Sequence, residues 1–85
     1  MLRDDIKDKV IEIIETLFDI TVEEKDSFRE LDFDAIDITE ISEALITVFE
    51  IDEIKFATVM EWEKVSDIIG TVEEKIEYAL HDMEK

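Results

Sequence analysis

An all-α fold, a small four-helix bundle with three long helices and one short, is what three features of the sequence predict. Apolar residues return at helical spacings of three and four in separate stretches, proline is absent, and neither a Gly/Ser-rich linker nor an internal repeat divides the chain. The 85 residues therefore read as one domain, 1–85. A domain this small buries only roughly two thirds of the surface that its unfolded chain exposes, so a thin core is expected.

Ile6, Val10, Ile13, Ile14 and Leu17 follow a helical repeat, which predicts a first helix from about Asp4 to Phe18 with these side chains buried and Lys7, Asp8, Glu12 and Glu15 in water. A long connection follows, from about Asp19 to Phe33. Within it Thr21-Val22-Glu23-Glu24 fits a capping box and predicts one short turn, while Phe28 and Leu31 are the expected core anchors. The second helix is expected over Ala35 to Phe49. Asp34 can cap it by accepting from the first free backbone N–H groups, and Asp37 and Glu40 suit the positive end of the helix dipole. Ile38, Ile41, Leu45, Val48 and Phe49 form its predicted buried stripe. Asp37, Glu40, Glu43, Thr47 and Glu50 run along another face, where like charges cost an isolated helix roughly 0.2–0.5 kcal/mol per pair. That acidic stripe does not serve helix stability.

Ile51-Asp52-Glu53-Ile54 reads as a loop into a short third helix around Ala57 to Glu61, although Phe56-Ala57-Thr58-Val59-Met60 has the β propensity of a strand. The last helix is expected to begin after Ser66 as N-cap and to bury Ile69, Val72, Ile76, Ala79, Leu80 and Met83. Gly70 near its start costs roughly 1 kcal/mol relative to Ala, which a tight helix contact would explain.

With 46% apolar residues the chain can form a core in spite of 41% charged residues. Its net charge of −17 opposes phosphate backbones and anionic lipid headgroups, which argues against nucleic-acid binding and membrane insertion and favours basic protein partners. Cysteine is absent, so disulfides and thiolate metal sites are not available. The start, Met1-Leu2-Arg3-Asp4-Asp5, has no apolar run like a signal peptide, and no stretch approaches the roughly 20 apolar residues that span a bilayer. A cytoplasmic monomer is expected.

The stretch from Phe33 to Ile41 combines a helix start, an acidic stripe and an apolar face. It resembles the Asp-Ser-Leu attachment motif of acyl carrier proteins, with Asp34 matching the Asp, Ile36 standing for the Leu and Ala35 in the place of the serine. The similarity extends over nearly the whole chain: the first amphipathic helix, Ser27-Phe28 and Leu31 ahead of the motif, Phe49 with Ile51 and Ile54 behind it, and Val65-Ser66-Asp67-Ile68 opening the last helix. Asp32 lies where that family commonly has glycine, a change Asp tolerates because it enters left-handed backbone conformations more readily than most residues.

The resemblance implies a non-enzymatic carrier. A phosphopantetheine arm at position 35 would hold acyl intermediates as thioesters and deliver them to partner enzymes of fatty-acid biosynthesis, polyketide or related synthesis, tethering in place of diffusion. It implies a phosphopantetheinyl transferase and acyl-processing enzymes with basic docking patches as partners. Asp34 and Ile36 would flank the arm, and Asp37, Glu40, Ile41 and Glu43 would dock; the plain alternative for the stripe is a solvated face. The acyl chain would shelter among residues such as Val48, Phe49, Met60, Trp62 and Ile69, which helical spacing equally assigns to ordinary core. Ala35 has no hydroxyl and cannot form the phosphodiester, so the chain as it stands cannot be loaded. A serine replaced on purpose, a letter standing in for a modified residue, and a natural carrier-like protein that has lost its arm all leave this sequence.

Other classes fit less well. His81 is the one histidine and has no nucleophile arranged with it, so a catalytic triad or imidazole base has no support. With 26 acidic residues, carboxylate pairs do not discriminate a glycosidase. Asp32, Asp34 and Glu43 fall at positions one, three and twelve of an EF-hand loop, but Ile36 occupies position five and Asp37 the turn that requires glycine. Weak divalent binding by clustered carboxylates would relieve self-repulsion. The remaining alternative to the carrier is a carrier-like acidic helical module that binds a protein partner without acylation.

Overall fold

The computed structural model describes residues 3–83 of the chain, and its side chains as far as Tyr78. Four helices follow one another: α1 Arg3–Phe18, α2 Ala35–Phe49, α3 Phe56–Glu61 and α4 Val65–Met83. Helix α1 packs against both α2 and α4, and α3 lies against α2.

Asp4 and Asp5 in the first turn of α1 meet the positive end of its dipole, and Ile6, Val10, Ile13 and Ile14 close into the core. Leu17 does not follow them. It stands 43% exposed beside a depression that Ala44 and Val48 of α2 also border. Asp19 then enters the left-handed region at φ 54 and ends the helix.

The long connection carries no helical turn at Thr21 to Glu24. Val22 is buried and its N–H donates to Glu15 Oε2 at 3.1 Å, while Glu24 is drawn to Arg3 and Lys7 instead of back toward Thr21. The turn forms two residues later, with Glu23 N–H donating to Asp26 Oδ2 at 2.8 Å and Asp26 N–H to the Glu23 carbonyl at 3.1 Å. From there the loop is stitched along the junction of α3 and α4. Phe28 N–H donates to the Glu63 carbonyl at 2.9 Å, and the Val65 and Ser66 N–H groups donate to the Asp26 and Glu24 carbonyls at 3.0 and 2.9 Å. Phe28 is buried and Leu31 half-buried, as expected of anchors. Phe33 lies between Phe28 and Phe18, with ring centroids 6.0 and 4.7 Å away.

In α2 Ile41 and Leu45 are fully buried, and Ile38 and Phe49 pack partly against them. Val48, expected in the same stripe, is 44% exposed on the side of α2 that faces Leu17. Glu50 stops the helix at φ 52. The following segment settles as helix, not strand: Phe56–Glu61 makes little more than one turn, buries Val59 and leaves Phe56 70% exposed. Trp62 behind it is buried, its Nε1–H donating to Thr71 Oγ1 at 2.9 Å.

Helix α4 starts at Val65, so Ser66 lies inside its first turn and is not the cap. Asp67 reaches back instead, its Oδ2 accepting from the Glu63 and Lys64 N–H groups at 2.8 and 3.0 Å. Val65, Ile68, Ile69 and Val72 are completely buried and Ile76 partly so. The expected burial of Ala79, Leu80 and Met83 falls on side chains outside the described residues, as does His81.

Gly70 makes no tight contact. It is exposed, a Cβ added there would meet nothing within 4 Å, and its φ is not positive. Its helix cost is thus not offset by packing, and Gly70→Ala is expected to stabilise the domain by about 1 kcal/mol, raising Tm by about 4–8 °C. A thermal melt in which the variant loses stability would restore the contact argument.

Candidate functional site at the start of helix α2

The backbone reaches α2 through a turn that needs an unusual residue. Asp32 has φ 60, the left-handed conformation that the Gly-to-Asp reading anticipates, and its N–H donates to the Arg29 carbonyl at 3.2 Å. Phe33 N–H donates to the Phe28 carbonyl at 3.0 Å, which ties the entry of α2 to the buried anchor.

Asp34 caps the helix as expected. Its Oδ1 accepts from Asp37 N–H at 2.9 Å, and Asp37 Oδ2 accepts from Asp34 N–H at 3.1 Å, a reciprocal capping box built from two aspartates. The sequence places Asp37 at the positive end of the dipole and on the docking edge; its spacing of three from Asp34 is the signal that it also closes the box. The two carboxylates are held by backbone donors and the helix dipole, so their mutual repulsion is offset locally. Ala35 and Ile36, the first two helical residues, are thereby presented outward: Ala35 is exposed and Ile36 is 69% exposed.

Glu40 and Glu43 continue the exposed acidic edge, with Asp37 half-exposed at its head. Every charged side chain from Glu30 to Glu53 is acidic. Among the described residues the ion pairs join Arg3 and Lys7 to Glu24 and Lys25 to Glu23, away from this edge. The field of the edge is therefore not neutralised by neighbouring cations.

Ile41 requires a correction. It was expected to dock partners, but it has 0% exposure, because its spacing of three from Ile38 and four to Leu45 turns it into the core. The exposed apolar contact at this site is Ile36. The expected acyl-lining set does not hold together either: Trp62 and Ile69 are sealed in the core, Phe49 is half-buried, Met60 is 43% exposed, and Val48 opens onto the groove between α1 and α2. The EF-hand reading fails on backbone geometry, since the stretch from Ala35 onward that would form the loop is continuous α-helix. Among the described residues no group of three or more His, Asp or Glu side chains is arranged to hold a metal ion.

The helix order, the long first connection and a motif presented at the start of α2 define an acyl-carrier-like bundle. The crystal structure of an acyl carrier protein from Thermotoga maritima matches this chain with a TM-score of 0.78 at 29% sequence identity, over 91% of this chain and 93% of that one. No family model matches the chain, and no curated protein does. The fold is that of a carrier, not of a catalyst. Among the described residues no helix is long and apolar enough to cross a membrane.

A phosphopantetheine arm needs an exposed hydroxyl at this helix start, and the residues present do not fit it. Ala35 offers a methyl group. The next hydroxyls along α2 are turned back into the helix, Thr39 Oγ1–H donating to the Ala35 carbonyl at 2.8 Å and Ser42 Oγ–H to the Thr39 carbonyl at 2.9 Å, with Ser42 itself buried.

Proposed function

We propose that this chain is an acyl-carrier scaffold, of the kind that serves fatty-acid, polyketide or related synthesis, and that with Ala35 in place it engages carrier-recognising enzymes without carrying an acyl group. The observation that carries this reading is the intact presentation of the helix start. Asp34 and Asp37 are locked in a capping box, Ala35 and Ile36 face outward, and Glu40 and Glu43 extend an exposed acidic edge. The carboxylates that a basic docking patch would meet are exposed at Glu40 and Glu43, Ile41 is not available to it, and position 35 lacks the hydroxyl oxygen. Charge of this density steers encounter with a basic partner and fixes its orientation more than it adds raw affinity. Such a partner would include a phosphopantetheinyl transferase and acyl-processing enzymes.

The test is the intact mass of Ala35→Ser after incubation with coenzyme A and a broad-specificity phosphopantetheinyl transferase, with the Ala35 chain beside it. The serine version is expected to gain one arm and the alanine version none. If neither gains mass while both keep their helical circular dichroism, transferase recognition is absent, and the non-acylated partner-binding module is the correct reading.

A further inference from the structure

Leu17 of α1 and Val48 of α2 both have the helical spacing of core residues, and their exposure, 43% and 44%, takes them out of the core. They are not scattered. Both border one depression between the two helices, with Ala44 beside them, and it has a section of about 410 Å³ toward Glu40 and Glu43 and one of about 300 Å³ toward Lys9 and Glu12. The floor is aliphatic. The rims carry exposed carboxylates on both helices, Glu12 on one and Glu40 and Glu43 on the other, against the single cation Lys9.

We infer that this groove docks a basic amphipathic helix of a protein partner, its apolar stripe on Leu17, Ala44 and Val48 and its Lys and Arg side chains over Glu12, Glu40 and Glu43. A groove between two helices accepts a third when apolar anchors recur at helical spacing, and the charge of the rims selects which helix enters. A second copy of this chain would bring its own net charge of −17 against the same carboxylates, and an anionic lipid or fatty-acid headgroup would be repelled likewise. The inference rests on the docking reading of Glu40 and Glu43 and deepens it, adding an apolar half, a contribution from α1 and a helical shape for the partner.

The probe is a synthetic peptide of about 18 residues made of leucine and lysine, with the leucines at helical spacing, compared with an isomer of the same composition whose leucines are scattered. Binding to the Ala35 chain is followed by fluorescence anisotropy at low and physiological salt. The helical isomer is expected to bind at least about tenfold more tightly than the scattered one, and Leu17→Ser and Val48→Ser are each expected to remove most of that preference. Both side chains are already substantially exposed, so circular dichroism should show both variants folded. Equal affinity of the two isomers, or a preference that survives both substitutions, overturns the inference. So does a free protein that sediments as a dimer and returns to monomer with Val48→Ser, since the occupant is then a second copy. The docking reading is judged separately by transferase loading of Ala35→Ser: a serine version that is loaded while the two isomers bind equally overturns the inference alone, and one that is not loaded overturns the docking reading itself.

Discussion

Phe28→Ala is expected to destabilise the domain by about 3–5 kcal/mol, a large part of the roughly 5–15 kcal/mol that holds a small domain together. Phe28 is 4% exposed and carries the loop into the core, so its loss leaves a cavity between the connection and the helices. Its ring supports Phe33, which in turn meets Phe18 of α1, and its backbone joins Glu63 on one side and Phe33 on the other. Removing the ring therefore opens a cavity and loosens the entry of α2 together. The comparison variant is Phe56→Ala, the same substitution at a residue 70% exposed, which should change stability by no more than about 0.5 kcal/mol. Urea unfolding of both variants decides the matter: similar midpoints would mean that the connection is not anchored through Phe28.

Glu40→Lys and Glu43→Lys are expected to slow association with a phosphopantetheinyl transferase by about tenfold each at low ionic strength, an effect that should fade as salt screens the field. Stability should hardly move, because each change also removes a like-charge neighbour at helical spacing, worth roughly 0.2–0.5 kcal/mol. Asp37→Lys is a poorer probe of docking. Asp37 closes the capping box with Asp34, so its loss should cost about 1 kcal/mol of helix stability whether or not a partner binds there. Stopped-flow rates across a salt series, set beside thermal melts, separate the two roles. Rates and salt slopes identical to the parent in Glu40→Lys and Glu43→Lys would leave the acidic edge as a solvated face.

The start of α2 was legible in the sequence because its signals are local. A carboxylate at Asp34 reaches backbone donors within three residues, whatever the rest of the chain does, and the helix then runs from Ala35 to Phe49 as the periodicity requires. The start of α4 was not legible for the opposite reason. The helix begins at Val65, ahead of Ser66, because the free Val65 and Ser66 N–H groups of its first turn are satisfied by carbonyls of the distant loop at Asp26 and Glu24, and Asp67 then accepts from Glu63 and Lys64. The failed turn at Thr21 has a similar cause, since Glu24 finds Arg3 and Lys7 across the fold.

Helical periodicity states which side chains share a face, and by itself it determined the three long helices and the outward acidic edge of Asp37, Glu40 and Glu43, while the choice of helix over strand at Phe56 to Met60 was left to the fold. Whether a shared face is covered depends on what the opposite helix presents, and only the tertiary structure decided that. Ile41 is sealed while Leu17 and Val48 open onto a groove, and Gly70 faces empty space, because burial is a property of two surfaces that must meet and each stretch of sequence describes only one of them.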